Sequence, residues 1–110
     1  MKKDKELLYY ITEKGNSPFI EWLESLDNVT QARIDSRIHR LKLGNYGEFK
    51  RLQKSILELK LDFGPGYRVY FAEITKNVLL LLGGDKSTQN KDIKKAEKYY
   101  KDFMERQNGK

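Results

Sequence analysis

The tightest constraint on this chain lies in its middle, where residue character alternates with period two and then meets a turn. Leu57, Leu59, Leu61 and Phe63 fall on one side of an extended segment, with Glu58, Lys60 and Asp62 on the other. Gly64-Pro65-Gly66 breaks that segment, a combination that punctuates rather than propagates regular structure. Tyr67–Glu73 returns with Val69 and Phe71 suited to a core, leaving Arg68 and Tyr70 on the polar side. Such a hairpin is marginal alone in water, so other elements must cover its apolar face.

The flanking segments supply those covers. Leu7–Thr12 is short, apolar and aromatic, and predicts a first strand ended by Gly15-Asn16. Ser17 is a good N-cap and Pro18 a good first helical residue. Phe19, Trp22, Leu23 and Leu26 then define the stripe of a first helix. A second helix is expected from about Val29 to Leu43, with Val29, Ala32, Ile34, Ile38 and Leu41 inward and Gly44 as its stop. Asn45–Lys54 reads as a polar, basic connection. After Thr75-Lys76-Asn77, the apolar run Val78–Leu82 suits a central strand covered on both sides. Gly83-Gly84, like Gly64-Pro65-Gly66, reads as a turn and fits no phosphate loop. Ser87 or Thr88 caps a last helix whose stripe is Ile93, Ala96, Tyr100 and Phe103, with a face dense in lysine opposite. The order β-α-α-β-β-β-α implies one α+β domain over residues 1–110, an antiparallel meander with helices packed on one side.

Composition narrows the chemistry. Cysteine is absent, which excludes disulfides and thiolate metal sites and agrees with a reducing cytoplasm. His39 is the only histidine, so there is no His pair for a metal and no ordinary Ser-His-Asp triad. It lies between Arg37 and Arg40 and is expected at the surface. The charged start has no leader-like apolar stretch, and Val78–Leu82 is far too short to span a bilayer. A soluble cytoplasmic protein with no cofactor, metal or membrane is therefore expected. Twenty-two Lys and Arg against sixteen Asp and Glu give a net charge of +6, which favours polyanions such as nucleic acid without requiring them.

What remains for chemistry is charge on one face of the hairpin. Glu58 and Lys60 share that face by alternation, Arg68 joins them if the apolar sides pair, and Lys86 lies just past the next strand. RNA can be cleaved by its own 2′-OH, given a base for that proton, cations for the crowded phosphorane and an acid for the 5′-oxygen. Arg and Lys suit the middle role, and a crowded Lys can have its pKa depressed enough for proton transfer. Taken alone, however, alternating Glu and Lys favours a solvated face with cross-strand ion pairs.

Two segments, ELKLDFGPGYRVYF (Glu58–Phe71) and LLGGDKSTQNKDI (Leu81–Ile93), resemble the RelE/ParE toxin superfamily, specifically its HigB-like addiction-module killer branch. The element order and the length match over nearly the whole chain. The resemblance implies a RelE-like fold and a toxin of a type II toxin–antitoxin pair. Its action would be ribosome-dependent mRNA cleavage, an mRNA interferase that blocks translation. It also implies a HigA-like helix-turn-helix antitoxin, with operator DNA engaged indirectly through it. Carried over residue by residue, Lys60 takes one second-strand position, Arg68 matches the Tyr-Arg arginine, and Lys86 falls where a later arginine stands. Glu58 stands where RelE has lysine, and Asp92 where RelE has its helix tyrosine. Glu58 as base and Lys86 as acid complete the implied catalytic set of Arg68, Lys86, Lys60, Glu58 and Asp92. Lys50, Arg51, Lys54, Arg37 and Arg40 are the expected RNA-docking residues. The same superfamily also implies an alternative, a ParE-like DNA gyrase inhibitor that cuts nothing, and a third, a degenerate member that only binds antitoxin and operator.

Overall fold

A computed structural model describes residues 4–53 and 55–108. The elements are β1 (Leu7–Tyr9), α1 (Pro18–Glu24), α2 (Asn28–Lys42), β2 (Phe49–Gln53), β3 (Ile56–Leu61), β4 (Tyr67–Ile74), β5 (Asn77–Asp85), a 3₁₀ turn (Lys86–Thr88) and α3 (Gln89–Asn108). This is the expected α+β order with one strand more, because part of the segment read as a connection is β2. The five strands run in the order β1-β5-β4-β3-β2. Every pairing is antiparallel except β1 with β5, which is parallel.

Local signals account for most boundaries. Ser17 caps α1 by accepting from the Ile20 amide at 3.2 Å, with Pro18 first in the helix. Asp27 caps α2 through the Thr30 amide. The end of α2 is a Schellman motif: Asn45 N–H donates to Arg40 O, Gly44 N–H to Leu41 O, and Gly44 takes φ +81°. Ile34, Ile38 and Leu41 are buried as expected, whereas Val29 is 71% exposed and Ala32 is also exposed. Those two lie roughly 140–160° around the helix from Ile34, on the face turned away from the buried stripe.

The expectation that the helices share one side is corrected. Leu57, Leu59, Leu61, Val69, Phe71, Val78 and Leu80 form one layer with α1 and α2. Ile56, Tyr70, Ala72, Leu79, Leu81 and Leu82 form a second layer with Ala96, Ile93, Tyr100 and Phe103 of α3. Each fully buried Leu contributes roughly 1.5–3 kcal/mol relative to exposure, so covering both faces is what makes β5 viable. The sheet side read as polar is thus half-roofed by α3.

A bulge tunes the register. Tyr70 pairs with Leu82 but Phe71 pairs with Leu80, which leaves Leu81 extra in β5. Gly83 then faces the α1 layer beneath the Trp22 ring, and Gly84 faces the α3 layer beneath the Asp92 carboxylate. These glycines lie within the strand, not in a turn. They are glycines because a Cβ at either position would overlap the side chain above it.

The far end of α3 is clasped to the start of the chain. Tyr10 O–H donates to Asp102 at 2.6 Å, Arg106 donates to Asp102 at 2.6 Å, and Tyr10 stacks on Tyr99. Burial, then the Asp102 bond, pushes the Tyr10 phenol up to about 12, while Tyr10's hydrogen bond holds the Asp102 carboxyl below its usual value. Tyr10→Phe should lower stability by about 1 kcal/mol at neutral pH in denaturant titrations, since the acceptor is partly solvated. A carboxyl with a depressed folded pKa stabilises above its unfolded value and loses that contribution as pH falls through the folded one. The gap between wild type and Tyr10→Phe should therefore close in acid. Among the described residues no helix is long and apolar enough to cross a membrane.

Candidate functional site

Two cross-strand rows build the site on the α3 side of the sheet. The first is Lys50–Glu58–Tyr70, across β2, β3 and β4, and the second is Lys60–Arg68–Gly84, across β3, β4 and β5. Paired residues in antiparallel strands share a face, so register alone brings these side chains together. The first turn of α3 roofs part of the rows. Gln89 donates to Glu58 Oε2 at 2.7 Å, and Thr88 donates to Asp92 Oδ2 at 2.5 Å. Glu58 is fully buried and Asp92 is 6% exposed.

Arg68 is half-buried at the open end. One guanidinium nitrogen donates to the carbonyls of Gly66 and Tyr67, both at 3.2 Å. The Lys86 amide donates to the same Gly66 carbonyl at 2.9 Å. Gly66, at φ +81°, therefore gathers the hairpin tip, Arg68 and the Lys86 segment. Lys86 is exposed and Lys60 half-buried, so Lys60, Arg68 and Lys86 form a cationic rim. Asp85 shapes that rim from below by capping the 3₁₀ turn through Ser87, whose hydroxyl and amide hold its carboxyl below the usual range.

Beneath the rim lies a buried polar cluster. Glu58 Oε1, Arg68 Nε and the Tyr70 hydroxyl are buried without a hydrogen bond of ordinary length. Burial first, then the charge of Glu58 and its long hydrogen bond to the phenol, then the charge of Asp92, drive the Tyr70 phenol far above its ordinary value, with Arg68 opposing. Tyr70 thus stays protonated between two acids and a guanidinium. Few buried polar atoms in folded proteins go without a hydrogen bond of ordinary length. A buried cluster in which Tyr70 and Glu58 meet only at longer range and Arg68 Nε has no partner is a feature concentrated at functional sites.

The implied catalytic set is thus gathered on one face, but in two depths. Lys60, Arg68 and Lys86 reach solvent, and Glu58 and Asp92 lie below them. The expected RNA-docking residues are scattered. Lys50 shares the site's face through its register with Glu58. Arg51 turns to the other layer, paired with Glu73 at 3.3 Å. Arg37 donates to the Tyr46 carbonyl at 3.3 Å and, with the exposed Arg40, belongs to α2 on the far side of the sheet. Lys54 lies outside the described residues. Sequence reasoning missed Tyr70, Thr88, Gln89 and Gly84 as parts of the site. The available signal was the glycine pair inside an apolar strand, which marks close approach of another element.

A five-stranded sheet with α1 and α2 on one face and α3 on the other, carrying a cationic rim at the end of its β3–β4 hairpin, is consistent with a RelE-like α+β fold. The profile of the family described as phage derived protein Gp49-like (DUF891) matches residues 21–101, and the chain belongs to that family. Membership brings a toxin–antitoxin theme and implies an antitoxin partner. An uncharacterized protein of Haemophilus influenzae (strain ATCC 51907 / DSM 11121 / KW20 / Rd) is 49% identical over 90 residues, covering 76% of this chain and 87% of that protein. No solved structure matches the chain.

Proposed function

We propose that the protein is the toxin of a type II toxin–antitoxin pair and acts as a ribosome-dependent mRNA endoribonuclease of the HigB-like kind. The observation that carries this is the rim of Lys60, Arg68 and Lys86 around Gly66, positive charge collected at one edge of the sheet. In the reaction the 2′-oxygen bonds to phosphorus, the bond from phosphorus to the 5′-oxygen breaks, and a 2′,3′-cyclic phosphate and a 5′-hydroxyl result. Arg68 and Lys60 stabilise the equatorial oxygens of the phosphorane, where charge develops. Lys86, the most exposed of the three, donates the proton that the 5′-oxygen needs.

Glu58 and Asp92 act from beneath in this scheme. Their charges oppose that of Arg68 at the Tyr70 phenol, and through Gln89 and Thr88 they seat the start of α3 that carries Lys86's neighbours. With both carboxylates covered, removal of the 2′ proton leans on solvent and on the in-line geometry that a ribosome-bound mRNA adopts. The partner that neutralises the toxin is a HigA-like helix-turn-helix antitoxin, which carries the complex to operator DNA.

Primer extension on mRNA from a ribosome-containing translation reaction tests the proposal. Cuts in phase with codons should appear with the protein present and vanish when translation is blocked. Uncut mRNA, together with inhibition of purified gyrase in a supercoiling assay, would instead establish the ParE-like alternative.

A further inference from the structure

The outward face of α3 takes no part in the site above. Lys91, Lys94, Lys95, Lys98 and Lys101 are all exposed there. At 3.6 residues per turn they fall within about 120° of arc, opposite the side that buries Asp92 and Ala96. Neither of the two ion pairs among the described residues, Arg51–Glu73 and Arg106–Asp102, includes any of the five. The nearby acids are mostly engaged elsewhere: Glu97 accepts from Gln53, and Asp102 accepts from Tyr10 and Arg106. Asp102, which lies inside the same arc and whose carboxyl Lys98 also helps to hold low, and Glu105, toward the C-terminal end, both add negative charge to that face, leaving the five lysines in excess.

The stripe is continuous with the rim. Lys86 and Lys91 line one shallow hollow, together with Ser87, Thr88, Gln89 and Asn90. From there the lysines descend the helix at steps of three or four residues, roughly 5–6 Å, which is comparable with the spacing of phosphates along a strand. A bilayer surface is a poorer fit, because interfacial helices need an apolar face to insert. The apolar face of α3 is already used against the sheet, through Ile93, Ala96, Tyr100 and Phe103.

We infer that the α3 lysine stripe docks the phosphate backbone of helical RNA, on the flank of the strand held at the rim. The inference rests on the RNA reading of the site but not on cleavage. It places the principal docking surface on α3 rather than on the arginines of α2, which lie on the opposite layer.

The test is fluorescence anisotropy of a labelled RNA hairpin with the full chain, across a potassium chloride series. The Lys94→Gln/Lys98→Gln/Lys101→Gln variant keeps the helix, since Gln and Lys have similar propensity, and circular dichroism checks this. Its log–log salt slope should fall by about 2, at ~0.7–0.9 for each phosphate no longer neutralised, with affinity down ten-fold or more at low salt. The matching Lys→Arg triple should restore both, and Arg68→Ala should change the slope by no more than about 1. An unchanged slope in the Gln triple overturns the inference. So does a larger loss in Arg37→Gln/Arg40→Gln, or a role for the three lysines confined to phosphatidylserine vesicles. Stripe-dependent RNA binding without mRNA cutting would sink the nuclease proposal and leave the docking surface standing; cutting with an unchanged slope would do the reverse.

Discussion

Arg68→Ala is expected to abolish growth arrest and to lower mRNA cleavage by at least 10²–10³-fold, the usual loss when one donor to a developing oxyanion is removed. Arg68 is the one rim cation fixed by the fold itself, folded back on the carbonyls of Gly66 and Tyr67. A pre-positioned guanidinium needs no reorganisation when the phosphorane forms, whereas Lys60 and Lys86 are flexible point charges. The variant must also be shown to fold. It loses two hydrogen bonds, worth about 1 kcal/mol each, and removes the charge that opposes Glu58 and Asp92. Arg68→Lys provides the second arm, since it keeps the charge and loses the planar fork. A folded Arg68→Ala protein that still arrests growth would falsify the assignment. An inactive Arg68→Lys protein with a native melting curve would show that the fork, not the charge alone, is needed.

Gly83→Ala should be the most destabilising small change in the protein, costing about 3 kcal/mol or more in urea unfolding with an unchanged m-value. The added methyl would overlap the six-membered ring of Trp22. That ring is rigid and is wedged between Phe19 and Tyr67. Gly84→Ala meets the end of the Asp92 side chain instead, which can swing aside at the loss of its bond to Thr88. Its cost should be nearer 1 kcal/mol. The asymmetry is the check. Trp22→Leu should recover part of the Gly83→Ala loss in a double-mutant cycle and none of the Gly84→Ala loss. Equal stability of Gly83→Ala and wild type would mean that the helix does not approach the strand as described.

Much of this architecture is legible in the sequence, and the misses have physical reasons. Ser17-Pro18, Gly44 and the 57–71 alternation are local devices, so they speak for themselves. β2 does not, because Phe49–Gln53 is an edge strand with four of its five residues exposed. An edge needs no apolar alternation, and charged residues such as Lys50 and Arg51 suit it. The burial of Glu58 was hidden for a different reason. Alternation shows which residues share a face, but not that a helix beginning thirty-one positions later lays Gln89 on that carboxylate. Gly83-Gly84 carries the same signal as a turn until tertiary packing decides between them. Alternation already put Lys60 and Arg68 on one face with Lys86 just beyond the next strand, and only their phosphate-handling role came from motif resemblance; the register explains why Lys60 and Arg68 meet.

The parallel pairing of β1 with β5 has a kinetic consequence. Leu7 lies beside Val78, so this contact closes a loop of most of the chain, whereas β2 to β5 pair with their immediate neighbours in sequence. Loop closure of that length is entropically late, and contacts of high sequence separation slow folding. β1, the first of these five strands to be synthesised, is thus expected to dock last, after β5 has joined the meander. Until it docks, the Tyr10 clasp on α3 cannot form either. A nascent chain therefore holds its cationic hairpin before it holds its closed sheet, an interval in which a partner able to grip exposed β5 would catch the toxin unfinished.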